Sequence, residues 1–163
     1  MSSPPSCEGW LTDSGRPAIA GRTTAHAVPA HESEIRLTLP ARPENIALVR
    51  HVLSALAEAL GLPRGLTDDM RLAVTEACTN VVRHAYDGRG TFDLVVCPSG
   101  ESIEVIVADE GRGIGLSPDT TGPGLGLPLI AALADSVEIE QAPRRGSRLK
   151  MRFQRPAPAM GMA

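Results

Sequence analysis

The chain has 163 residues, which suits one domain of about 150 residues with loose ends. Its 42% hydrophobic content can build a core, while 2% aromatic content removes the rings that stack along single-stranded nucleic acid. A net charge of −3 leaves no basic footprint for binding a phosphate backbone.

Cys7, Cys78 and Cys97 have no CxxC spacing, so neither a zinc site nor a disulfide framework is supported. No run of about 18 apolar residues is present to span a membrane, and no basic-then-apolar leader opens the chain. A reduced, cytoplasmic protein is the expectation. Residues 1–33 read as a disordered tail, because Ser, Thr, Pro and Gly fill 15 of the 33 positions and the apolar residues have no period. Residues 154–163 read as a second flexible tail, leaving one domain over 34–153.

Within the domain, Ile35, Leu37 and Leu39 alternate with polar residues, a short strand ended by Pro40. Pro43 suits a first helical turn. Ile46, Val49, Leu53, Leu56 and Leu60 follow at helical steps, and Gly61 is the stop. Thr67 is the expected N-cap of a second helix, with Asp68 and Asp69 at its positive end, running to about Tyr86 and broken by Asp87-Gly88. Phe92–Cys97 and Ile103–Ala108 read as a hairpin across Pro98-Ser99-Gly100. Residues 109–126 carry six glycines and two prolines without any period. A short helix is expected over Leu127–Ala134, then strands over Val137–Glu140 and Arg148–Phe153. This order predicts an α+β two-layer sandwich, a mixed, mostly antiparallel sheet with about three helices on one face.

Four local patterns carry chemistry. Glu76, Asn80 and Arg83 share one edge of the second helix. Taken alone that spacing is more simply a solvated edge with a local Glu–Asn contact; the chemical reading is a carboxylate to accept a proton, an amide oxygen for magnesium and a cation for phosphate. Asp109 ends a buried strand and is followed by Gly111 and Gly113, a β-turn or a thin wall beside a flat ligand. Gly124-Leu125-Gly126 runs into the third helix, where free backbone N–H groups attract anions. Neither a Walker A loop nor a Rossmann fingerprint is present. Gly146-Ser147 opens the last strand and by itself is a turn.

In order and spacing these patterns resemble the GHKL superfamily of ATPases and kinases, the Bergerat fold, over residues 34–153. The stretches Ala41–Leu62, Thr75–Gly88 and Gly124–Asp135 are most similar to stand-alone bacterial anti-sigma factor serine/threonine-protein kinases. The resemblance implies ATP and magnesium as cofactors, with ATP held between the helix layer and a lid. Glu76 then orients or deprotonates the attacking hydroxyl, Asn80 holds magnesium, and Arg83 stands near the phosphates. Asp109 accepts a hydrogen bond from the adenine amino group beside Gly111 and Gly113. Gly124, Leu125 and Gly126 turn backbone amides to the phosphates, and Ser147 stands where relatives carry threonine. His84, Tyr86 and Cys78 are taken as packing residues.

The implied activity is ATP-dependent phosphorylation of an anti-anti-sigma STAS-domain protein by a kinase that also binds a sigma factor. A homodimer is open to it, and nucleic acid and membranes are not implied as partners. Beyond Arg112 the lid holds no Lys or Arg, where relatives often carry one. That departure supports an alternative, a nucleotide-gated regulatory module that sequesters a partner with little or no kinase activity. With so few aromatics, adenine is expected to rest against aliphatic side chains and Asp109.

Overall fold

The computed structural model describes residues 34–85, 90–111, 126–141 and 146–156, all within the unit Glu32–Ala163. Strand β1 (Ile35–Pro40) alternates half-buried and exposed residues, as its sequence predicts. Helix α1 (Pro43–Ala59) starts after the extended Arg42, with Pro43 in its first turn, where a missing N–H breaks no bond. It ends in a Schellman cap. Gly61 takes φ +62°, its N–H donates to the carbonyl of Glu58 at 3.1 Å, and the Leu62 N–H donates to Ala57 at 2.9 Å.

Helix α2 (Arg64–Asn80) begins three residues before the predicted cap. Pro63 stands at the cap position in an extended conformation. Thr67 is already inside the helix, its N–H and hydroxyl both donating to the Pro63 carbonyl at 3.0 and 3.1 Å. Asp68 and Asp69 therefore lie beyond the first turn. The second helix also changes character before its predicted end. After Asn80 it continues as a π-helical turn over Val81–Ala85, and the Val81 N–H is shared between the carbonyls of Ala77 and Cys78. Tyr86, Asp87 and Gly88 lie outside the described residues.

Strands β2 (Thr91–Pro98) and β3 (Ser102–Asp109) form the predicted hairpin, its turn held by the Ser99 N–H on the Ser102 carbonyl at 2.7 Å. Helix α3 (Gly126–Leu133), β4 (Ser136–Gln141) and β5 (Ser147–Gln154) complete the domain. Gln154, assigned from sequence to the tail, ends β5, and its N–H donates to Asp135 Oδ2 at 2.7 Å. The five strands lie in the order β1-β2-β3-β5-β4, and each described pair is antiparallel. The mostly antiparallel sheet expected from sequence is what forms.

Register explains the two layers. Leu37, Leu94, Val107, Leu149 and Ile139 lie across the sheet in one row. Side chains two apart on each strand share this face. It meets Val49 and Leu53 of α1, Met70, Val74 and Ala77 of α2 and Ile130 of α3, all buried in one core. The opposite face carries ion pairs, Lys150 with Glu104 at 3.4 Å and Arg148 with Glu140 at 3.7 Å. No helix among the described residues is long and apolar enough to cross a membrane.

Cys78 is buried in the α2 core, as expected, and burial pushes its thiol from 9.0 up to about 12. In the unfolded chain the thiol ionises at its ordinary value. Its contribution to stability is therefore full below pH 9 and is lost as pH rises from 9.0 to about 12. Melting temperatures followed through that window are expected to fall more steeply for the natural chain than for Cys78→Ala.

Candidate functional site

Asp109 is the last residue of β3 and pairs directly with Ser147, the first residue of β5. Both fall on the core-facing side, in the row that begins with Leu39 and Phe92. A row that begins with two apolar residues thus continues into a carboxylate and a hydroxyl, only 6% and 2% exposed. Burying a carboxylate is unfavourable unless hydrogen bonds replace its water. Here the Ser147 hydroxyl donates to Oδ2 at 2.5 Å and the Gly111 N–H donates to Oδ1 at 2.9 Å. Each oxygen keeps further acceptor capacity, so the carboxylate is both fixed and able to receive another donor.

Gly146 makes this pairing sterically feasible. A Cβ at that position would collide with the backbone carbonyl of Asp109 and lie 3.0 Å from the Glu110 Cα. Sequence reading assigned Gly146 no role beyond a turn. The signal was its position before Ser147, but its importance depends on which strand β5 pairs with, and that is a long-range fact.

Glu76 and Asn80 are half-buried on α2, one turn apart. The first residue of α3, Gly126, comes against both. A Cβ on Gly126 would sit 2.6 Å from Glu76 Oε1, 3.0 Å from Asn80 Nδ2 and 3.4 Å from Asn80 Oδ1. The structure therefore brings the second-helix pair and the third-helix N-terminus into one cluster, as the order of motifs predicts. Arg83 is exposed in the π-helical turn, away from the α-helical register that its spacing from Asn80 assumes. Gly113, Gly124 and Leu125 lie outside the described residues, as do the side chains of His84 and Tyr86. The two clusters share a support, because α2 packs on both β3 and β5.

Over residues 39–153 the chain matches the histidine kinase-like ATPase domain. It belongs to that family. Serine-protein kinase RsbW of Halalkalibacterium halodurans is 37% identical over 127 residues, covering 68% of this chain and 78% of that protein. The protein of the same name from Bacillus subtilis is 35% identical over 123 residues, 65% of this chain and 77% of its own. The solved RsbU and RsbW domains of a Mycobacterium tuberculosis protein align with a TM-score of 0.61 at 21% identity. They cover 77% of this chain, which spans only 34% of that one. The histidine kinase domain of a blue-light activated kinase from Erythrobacter litoralis gives 0.50 at 23% identity, covering 70% of this chain and 60% of that one. These two likenesses show the fold, an ATPase-domain sandwich.

The donor set is compatible with a nucleotide and a magnesium ion. Among the described residues no three His, Cys, Asp or Glu side chains cluster as a metal cage. Magnesium is commonly held by one or two protein oxygens together with substrate phosphates, and Asn80 offers one such oxygen. The missing Cβ of Gly126 lets Glu76 and Asn80 come directly against the α3 N-terminus.

Gly146→Ala is expected to lower stability by about 1–3 kcal/mol in urea unfolding, through overpacking against the Asp109 backbone. Ser147→Ala is expected to cost a similar amount, about 1–3 kcal/mol, by removing a donor from a buried carboxylate.

Proposed function

We propose that this protein is a cytoplasmic, ATP-dependent serine/threonine-protein kinase that regulates transcription as an anti-sigma factor. Its proposed partners are a sigma factor, which it binds, and an anti-anti-sigma STAS-domain protein, which it phosphorylates. The observation that carries this reading is the meeting of Glu76, Asn80 and Gly126, which joins a proton acceptor, a metal-ligating amide and an anion-attracting helix start. Membership of the family and similarity to proteins named serine-protein kinase support it.

Magnesium-ATP, when bound, supplies the phosphoryl group and the charge neutralisation on which phosphoryl transfer mostly depends. The roles of the chain follow from its chemistry. Asp109, held by Ser147 and Gly111, accepts from the exocyclic amine of the base. Asn80 would hold magnesium through its side-chain oxygen. Gly124, Leu125 and Gly126 are assigned to the phosphates, Arg83 to them as a further cation, and Gly113 to the base. Glu76 orients the acceptor hydroxyl and takes its proton.

The lid gives a second reading. No Lys or Arg follows Arg112 before α3, so a basic contact to the terminal phosphate is missing from that stretch. This favours a nucleotide-gated module that holds its partner with little transfer.

Incubation with magnesium, labelled ATP and the STAS-domain proteins of the same genome separates the readings. A kinase gives a phosphoprotein, and Glu76→Ala is expected to lower the rate about 10²–10⁴-fold. Asp109→Asn is expected to abolish nucleotide binding in calorimetry under either reading. Nucleotide binding without any phosphoprotein would leave the binding module.

A further inference from the structure

Among the described residues three large apolar side chains stand exposed, Leu48 at 45%, Leu72 at 48% and Ile139 at 42%. Only one of them is on the helix that carries Glu76. Leu72 lies four residues before Glu76 on α2, so the two side chains are neighbours along one helix edge, roughly 5–6 Å apart at Cβ. Leu48 belongs to α1 and Ile139 to the edge strand β4, at the far side of the sheet.

The chemistry of Glu76 restricts what can cover this edge. If Glu76 takes the proton of an acceptor hydroxyl, the residue bearing that hydroxyl sits against it, and a segment running from there along α2 toward Asp69 passes over Leu72. In an extended acceptor segment, two residues span about 6–7 Å, comparable to the one helical turn that separates Glu76 from Leu72. The surroundings of Leu72 are acidic. Asp68 and Asp69 lie four and three residues before it, both exposed. Asp68 is partly neutralised by Arg71 at 3.7 Å, and no such ion pair involves Asp69 among the described residues.

We propose that Leu72, flanked by Asp69, is the docking anchor for the protein that bears the acceptor hydroxyl. The partner places an apolar side chain about two residues from its acceptor serine or threonine against Leu72, and a basic group toward Asp69. This inference rests on the kinase reading for the location of the hydroxyl. An exposed leucine is unremarkable in isolation. Here it lies within one turn of the proton acceptor, where a protein substrate has to make contact and where a few anchors dominate binding.

Steady-state phosphorylation of a STAS-domain protein by Leu72→Glu, Leu72→Met and Ile139→Glu tests the assignment, with melting temperatures checking the fold of each. Leu72→Glu is expected to raise KM for the STAS protein about tenfold or more, the size of effect an anchor residue carries. KM for ATP and kcat stay within about twofold, since uniform binding of one substrate is what is lost. Leu72→Met restores the natural KM, and Ile139→Glu leaves it unchanged. An unchanged KM in Leu72→Glu overturns the proposal, as does an equal rise in Ile139→Glu or a parallel loss of ATP affinity.

Calorimetry of the ADP-loaded protein with the same STAS protein keeps the two readings apart. If the natural chain transfers no phosphate, the kinase reading fails. Docking then stands when Leu72→Glu binds about tenfold more weakly, and falls when affinity is equal or when the natural chain does not bind.

Discussion

The hydrogen bond from Ser147 to Asp109 ties the end of β3 to the start of β5, and much of the domain is arranged around it. A carboxylate buried in this row would be forced toward neutrality or out of the core without such a donor. The neighbouring positions are consistent with that demand. Gly146 lets the chain enter β5 against the Asp109 backbone, and Gly111 turns its N–H onto the second oxygen. The same register stacks Val107 on Leu149 one row inward, so the polar end of the sheet and the core beneath α2 are set by a single pairing.

The helix layer answers with a second close approach. Gly126 lets α3 start against Glu76 and Asn80 as they stand, since a Cβ there would displace the ends of both side chains. The α-helix gives way to a π-helical turn at Val81, immediately after Asn80. Such turns are often found at functional sites, and here the change re-aims the segment bearing Arg83. Backbone geometry, more than the number of charges, thus decides which of the predicted polar residues converge.

Periodicity made most elements legible from sequence. The alternation of Ile35, Leu37 and Leu39, the helical steps of α1 and the stop at Gly61 are local signals, and they are found where expected. Local signals also compete. Thr67 is a good N-cap residue, but Pro63, with ψ 147°, already takes the cap position four residues earlier, and the helix starts after it. The shared bond at Val81 has no side-chain signature, so the π-helical turn could not be read. In the candidate site, motif order singles out Glu76, Asn80, Asp109 and Ser147, whereas Gly146 needs the pairing of β3 with β5. That pairing joins residues 38 apart in sequence, beyond the reach of any window along the chain.

Aromatic poverty takes on a more definite meaning in this setting. Phe92 is the cross-strand neighbour of Asp109, so a ring does stand beside the carboxylate. It is 1% exposed and closed within the core, as are Val107 and Leu149 on the adjoining row. A ring enclosed in this way fixes the strand carrying Asp109 but offers no face to a ligand. A ligand at this end of the sheet would meet the remaining acceptor capacity of one buried carboxylate, and a carboxylate favours a ligand edge that donates a hydrogen. An exocyclic amine meets that requirement and a carbonyl edge repels it. The proposed adenine contact therefore rests on the orientation that Ser147 and Gly111 give the Asp109 carboxylate, not on a stacking ring.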